Sequence, residues 1–429
     1  MTGSTRRGSG IGIWKRVMMA RDREQEYRSS TPLELFFDLC FVVAVAQAGN
    51  QLHHGLAEGF AHGNGWSVLI RYVMLFFGIW WAWINFTWFA SAYDTDDVFY
   101  RLLTLLQIAG VLVLAAGVPV GFTTLNFTVI TVGYVLMRIA MIAQWIRVSI
   151  EYPPGRPAAI RYAVGIGVAQ IGWVIRLFLP HPWDLIVYAV LAVMEMVVPM
   201  WAESGGRATS WHPDHIYDRY SSFTLIVLGE CVAALTIAMQ GVVSGEHMVV
   251  SLIVLAAAAI LLVFGLWWAY FKNEATEVLR ASLRTTMIWA YSHFFVFMSI
   301  AALGATLSVA AEVAAEAAKG EKHVVTVNQA ALMVALPVAV FLLTGNVLHG
   351  RATRAFRVPG RYVTLIAAVV VGLAWTAGAI GLAAAIGLMG LVVACLVTVY
   401  LIGQHRWAMR ELRDDPLAQG ADQASAATG

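Results

Sequence analysis

Residues 248–271 read MVVSLIVLAAAAILLVFGLWWAYF, a run of 24 residues between His247 and Lys272 with no charged side chain. About 20 apolar residues in a helix cross the roughly 30 Å hydrocarbon core of a bilayer. A helix that is apolar on every side belongs at the centre of a large protein or in a membrane. The rest of the chain decides between these, because the same texture recurs throughout. Of 429 residues, 59% are apolar and 13% charged, against about 25% charged in soluble domains.

Working outward from this run, we read spans near residues 33–52, 68–90, 99–119, 126–147, 159–179, 183–202, 217–239, 248–271, 286–309, 327–348, 362–380 and 383–403. The fold class is therefore all-α: a polytopic membrane protein of about twelve transmembrane helices. Charge gives an independent check. With the N-terminus inside, 23 of the 28 Lys and Arg fall on one side, only Arg71, Arg176, Lys319 and Lys322 on the other, and Arg138 within a span. That bias follows the positive-inside rule and puts both termini in the cytoplasm of a cell inner (plasma) membrane. The clearest inside loop carries Arg351, Arg354, Arg357 and Arg361, and the largest outside loop is expected near 310–326.

Residues 1–30 form a basic N-terminal segment, either a short amphipathic helix on the inner surface (Ile11, Trp14, Met18) or a disordered tail. Residues 406–429 read as a disordered cytoplasmic tail. Between them, Phe77-Gly78-Ile79-Trp80-Trp81-Ala82-Trp83 in the second span is echoed by Phe264-Gly265-Leu266-Trp267-Trp268-Ala269-Tyr270 in the eighth. This suggests two parallel six-helix repeats, 31–210 and 211–405. The net charge of +2 gives no reason to expect a nucleic-acid partner. The expected partners are the lipid bilayer and a small solute or cation. Cys40, Cys231 and Cys395 all lie in apolar runs, which speaks for helix packing rather than a metal or disulfide framework. No cofactor motif or catalytic elbow stands in a credible setting, so neither a cofactor nor an enzyme is expected.

An ionisable side chain within a span costs about 2.5–3.5 kcal/mol at the helix centre, so each needs a reason. The candidates are Glu34, Asp38, Arg138, Glu195, Glu230 and His293. Thr31-Pro32-Leu33-Glu34 reads as a capping box, a structural reason for Glu34. Asp38 lies one turn further in, about 10 Å along the helix, where a cap cannot explain it. Glu230 lies about 20 Å into the seventh span by the same rise, and a buried pair with Arg138 is its structural alternative. Asp94, Asp96 and Asp97 read as a solvated turn between spans.

At these residues the sequence resembles the bacterial low temperature requirement protein A family. The resemblance is carried by Thr31-Pro32-Leu33-Glu34-Leu35-Phe36-Phe37-Asp38, by Trp80-Trp81, by Asp94-Thr95-Asp96-Asp97, and by His215-x-x-Asp218-Arg219 with Phe223 to Glu230. The chain departs from the family pattern in having Asp218 in place of glutamate and Cys231 in place of serine. The resemblance implies a multi-pass bacterial membrane protein without implying a molecular activity. More distantly, Glu34-x-Phe36-Phe37-Asp38-x-x-Phe41 is similar to the opening motif of a family of twelve-helix, two-repeat potassium channels, with Phe37 replacing that family's serine. The leading expectation is a secondary transporter with Glu34, Asp38 and Glu230 as proton- or cation-binding candidates and Arg138, Glu195 and His293 as charge partners. A cation channel and a non-transport sensor or assembly factor are the alternatives.

Overall fold

The computed structural model describes residues 14–22, 25, 28–61, 63–204, 209–243, 250–272, 276–320, 324–349 and 358–414. The chain is helical, with no strand among the described residues. In chain order the helices are α1 (Pro32–Ala61), α2 (Gly65–Tyr93), α3 (Val98–Thr124), α4 (Thr128–Glu151), α5 (Arg156–Arg176), α6 (Trp183–Ala202), α7 (Pro213–Val243) and α8 (Val250–Phe271). They continue as α9 (Thr276–Ala281), α10 (Leu283–Lys319), α11 (Val327–His349), α12 (Gly360–Ala374), α13 (Ala377–Ile380) and α14 (Leu382–Asp414). Ten of these are long and apolar enough to cross a membrane among the described residues. Helix α7, 31 residues long, and the shorter apolar α12 account for the other two expected spans.

The distribution of side chains supports the bilayer reading. Leu102, Ile139, Ile171, Val190, Val193 and Leu365 are each more than half exposed, while Glu34, Asp38, Arg138, Glu195, Arg219 and His293 are buried. Charge inside and aliphatic surface outside suit a lipid solvent, in which buried polar groups must find partners within the protein.

The chain forms two compact units: Met1–Leu52 with Trp66–Ile226, and His53–Gly65 with Val227–Gly429. Helices α1 and α7 each contribute to both. In the first unit α3 packs on α4, α4 on α5 and α5 on α6; in the second α8 packs on α14 and α10 on α11. The α3–α4 seam depends on glycine. A Cβ at Gly133 would lie 2.5 Å from the Gly110 carbonyl oxygen and 2.6 Å from the Leu114 nitrogen. Small residues allow this backbone approach, a common device of membrane helix pairs.

Several expectations are corrected. Residues 310–319 are the last turns of α10, not a loop. Ser308-Val309-Ala310-Ala311-Glu312-Val313-Ala314-Ala315-Glu316 is rich in strong helix formers, and Gly320 at φ +71° caps the helix. Residues 406–414 continue α14, and the tail from residue 415 lies outside the described residues. So do residues 351–357 of the basic loop and residues 1–13, 23, 24, 26 and 27 of the N-terminal segment. The expected amphipathic helix falls partly outside the described residues, with Ile11; from Lys15 to Asp22 the segment is a non-helical strap held by hydrogen bonds from Arg16, Met18 and Arg21. The eleventh expected span is broken at Trp375 and Thr376, between α12 and α13. The two tryptophan runs also differ in setting. Trp80, Trp81 and Trp83 are buried, whereas Trp267 and Trp268 lie on the surface.

Candidate functional site

The capping box at the start of α1 forms as read. The Thr31 backbone N–H donates to Glu34 Oε2 (2.7 Å), and the Glu34 N–H donates back to the Thr31 hydroxyl (3.3 Å). Capping is only part of what Glu34 does, because it is fully buried. Its carboxylate also lies 3.2 Å from His215 Nε2, 3.5 Å from Arg219 Nη1 and 3.8 Å from Arg28 Nη2.

Asp38 lies one turn further along α1 and is equally buried. Its Oδ1 accepts from the Trp83 indole N–H (2.7 Å) and from Arg219 Nη2 (2.5 Å). Its Oδ2 has no hydrogen-bond partner among the described residues. Two acids four residues apart on α1 thus meet two bases four residues apart on α7, His215 and Arg219. Positions i and i+4 share a helix face, so the two helices present complementary ladders. Both carboxylates reach the one guanidinium of Arg219, with Asp38 the closer.

Further polar contacts hold this cluster in place. Asp218 Oδ2 accepts from the backbone N–H and the hydroxyl of Ser30 (2.7 and 2.6 Å), tying α7 to the residue before the α1 cap. Arg28, also buried, pairs with Asp94 (2.9 Å) and donates to the Ser91 carbonyl (3.1 Å). Burial, together with the negative charge of Glu34, raises the Asp94 carboxyl above its ordinary value, against the pull of Arg28 and Arg21.

The aspartate turn is therefore not solvated, contrary to expectation. Asp97 is fully buried. It caps α3 by accepting from the Tyr100 N–H (2.8 Å), accepts from the Arg16 N–H of the strap (2.8 Å), and pairs with Arg147. Burial alone would raise its carboxyl. The Arg147 hydrogen bond and the two backbone N–H groups outweigh that and hold it below the ordinary range. Of the three aspartates, only Asp96 is exposed, where it pairs with Arg101. Asp97 also fits a sequence logic, being an N-cap residue immediately before an apolar helix.

Glu195 and Arg138 form a second buried group in the same unit. Glu195 stands on the buried stripe of α6 with Leu191, Val198 and Ala202, while the rest of that helix is largely exposed. Its Oε2 accepts from Trp81 Nε1 (2.7 Å) and Arg138 Nη2 (3.1 Å), and its Oε1 from Trp173 Nε1 (3.2 Å). Arg138 thus pairs with Glu195 and not with Glu230, the partner that depth alone suggested. Two indole donors explain why this pair tolerates burial, since every lone pair taken from water needs a replacement.

The remaining candidates lie in the second unit. Tyr270 and His293 are 3.0 Å apart, and His293 Nδ1 is 2.8 Å from the Trp289 carbonyl. A carbonyl only accepts, so Nδ1 carries the hydrogen and the tyrosine hydroxyl donates to Nε2. Both ring nitrogens are satisfied, as expected of a histidine that packs a helix. Glu230 is different: it is half-buried on α7 and makes no hydrogen bond or ion pair with any described residue. Next to it, the α7 backbone at Cys231 runs close to Gly304 of α10, and the Cys231 thiol donates to the Ile300 carbonyl (3.2 Å).

The sequence reading missed Arg219, His215 and Arg147 as charge partners, and the indoles of Trp81, Trp83 and Trp173 as donors. The first two were within reach, because His215 and Arg219 stand at the same four-residue spacing as Glu34 and Asp38. Nothing in one sequence says which indole meets which acid.

Long apolar helices that expose aliphatic side chains and bury acidic and basic ones make this a multi-pass membrane protein. The chain belongs to the bacterial low temperature requirement A protein family, which it matches over residues 29–401. It is also similar to an uncharacterized protein of Rhizobium meliloti (strain 1021), 24% identical over 299 residues, which is 64% of this chain and 68% of that one.

Proposed function

We propose that this protein is a proton-coupled secondary transporter of the bacterial inner membrane, with both termini in the cytoplasm and no enzymatic activity. Glu230 is the proton-binding carboxylate, and the Asp38–Arg219–Glu34 group is a charge switch. The observation that carries the reading is Glu230, an acid deep in a span with no cation or donor from the described residues beside it. An intramembrane acid without a fixed partner can take up and release a proton without breaking a structural bond.

Asp38 and Glu34 suit a different role. Each already faces a base, and Arg219 lies between two acceptors, so protonating Asp38 would let the guanidinium shift toward Glu34. Two alternative pairings of one buried cation make a bistable element. The same pairing weighs against a cation channel lined by these two acids, since Arg219 and Arg28 offset their charge. A membrane sensor remains the non-transport alternative, and flux separates it.

The test is flux in proteoliposomes under an imposed proton or potassium gradient, with internal pH followed by a trapped dye. Wild-type protein is expected to dissipate the proton gradient, and Glu230→Gln to lose that activity while melting like wild type. Wild-type vesicles as tight as protein-free ones would sink the proton reading. Undiminished flux in Glu230→Gln would remove Glu230 from it.

A further inference from the structure

In the first unit, a cavity of about 40 Å³ lies among α2, α3, α4, α5 and α6. Its wall is aromatic, formed by Phe77, Phe127, Tyr134, Trp173 and Tyr188. The polar atoms of that wall are largely engaged elsewhere. Tyr134 donates to the Gly78 carbonyl (2.6 Å), Tyr188 to the Met74 carbonyl (2.6 Å) and Trp173 to Glu195 (3.2 Å).

The exceptions are Arg176 and Thr131. Arg176 is 3% exposed and lines the cavity with its guanidinium over the rings of Phe127 (4.6 Å) and Tyr188 (5.1 Å). Its Nε donates to the backbone carbonyl of Asp184 (2.8 Å). The Asp184 carboxylate lies beside His181 instead (3.3 Å), and no described carboxylate stands within ion-pair distance of Arg176. Thr131 lines the same cavity, and its hydroxyl makes no hydrogen bond to a described residue.

We propose that this cavity binds a short-chain organic monocarboxylate, with Arg176 holding the carboxylate and the aromatic wall holding the alkyl body. A buried guanidinium calls for an anion, and its planar fork matches a carboxylate through two parallel hydrogen bonds. Aromatic walls whose own donors are already engaged favour an apolar remainder over water or an inorganic ion. At about 10–15 Å³ per water-sized position, the space takes a body of a few carbon atoms. A second carboxylate would meet ring faces and at most the Thr131 hydroxyl, with no second cation in the wall, which disfavours dicarboxylates. The site is a matter of equilibrium binding and stands whether or not the protein carries protons.

The test is calorimetric titration of the purified full-length protein with sodium propionate, propionamide, succinate and chloride at matched ionic strength. Saturable binding of propionate alone is expected. Arg176→Gln should weaken it at least tenfold. Because removing a buried arginine can disturb folding, Gly78→Ala is the second variant. A Cβ there meets nothing nearer than Tyr134 Cε2 at 3.8 Å, so the variant should fold normally, narrow the cavity and weaken propionate several-fold. Absence of saturable propionate binding to wild type would overturn the proposal. So would equal binding of propionamide or chloride, which would mark a nonspecific apolar pocket or a simple anion site. Unchanged affinity in both variants would place any binding elsewhere.

Discussion

Removing either partner of the Asp38–Arg219 pair should destabilise the protein strongly, and removing both should cost much less than the two losses added together. Both side chains are fully buried and 2.5 Å apart. Deleting one member of such a pair leaves an uncompensated buried charge and typically costs about 3–5 kcal/mol. The geometry also orders the single variants. Asp38→Asn leaves Arg219 with Glu34 at 3.5 Å and keeps an acceptor for Trp83, so its cost should fall at the lower end of that range. Arg219→Gln leaves two acids, Asp38 and Glu34, with His215 and Arg28 as the remaining bases nearby, and should cost the full amount or more. In the double variant no unpaired charge is left at Asp38, and a coupling of about 2 kcal/mol or more should be recovered. Equilibrium unfolding in mixed micelles over a range of SDS mole fractions would give the four stabilities of the cycle. Losses that add to within about 0.5 kcal/mol would mean that the pair does not interact, and an Asp38→Asn cost above that of Arg219→Gln would refute the shared-guanidinium arrangement.

Two further outcomes follow from the packing and the strap. Gly133→Ala should cost about 1–3 kcal/mol, the usual penalty of overpacking, because its Cβ meets backbone atoms of α3 at 2.5 and 2.6 Å that cannot rotate away; unfolding at the wild-type SDS fraction would show that the α3–α4 seam is looser than drawn. Asp97 is held below the ordinary carboxyl value of 3.8, so its contribution is present above that value and is lost as pH falls through its lower folded value. The Arg16 N–H it accepts should therefore be protected from hydrogen exchange at neutral pH and unprotected in Asp97→Asn at the same pH, while the Met18 N–H on Glu151 (2.7 Å) keeps its protection; equal Arg16 protection in the two proteins would show that the strap is held by other contacts.

How much was legible follows from the range of each signal. Hydropathy and charge bias are local and repetitive, so the helices and their class could be read directly. The Thr31–Glu34 box is a contact between residues three apart, and it too could be read. Asp38 was singled out because no local contact could satisfy it, and that reasoning pointed to a partner without identifying it. The partner, Arg219, is 181 residues away, and depth in the bilayer is a poor guide to lateral position. Depth alone paired Arg138 with Glu230, although Arg138 faces α6 and Glu195 instead. Asp94 and Asp97 were misread because a short polar turn between spans is usually wet, and only the folded strap, with Arg16, Arg21 and Arg28, shows what covers them. The strap carries Val17, Met18, Met19 and Ala20 in one run between charged residues and is held by backbone hydrogen bonds to acids, a kind of order that hydrophobic periodicity does not report.

The two acids of the proposed function differ in kind, and α7 links them. Arg219, which holds Asp38, lies in the part of α7 that packs in the first unit, and Glu230 in the part that packs in the second. Eleven positions of sequence separate them. Gly304 leaves the backbone of α7 close to α10 beside Glu230. The Asp218–Ser30 and Arg219–Asp38 contacts fasten the other end of α7 to α1. The proposed proton site and the proposed charge switch are therefore tested separately, each within its own unit.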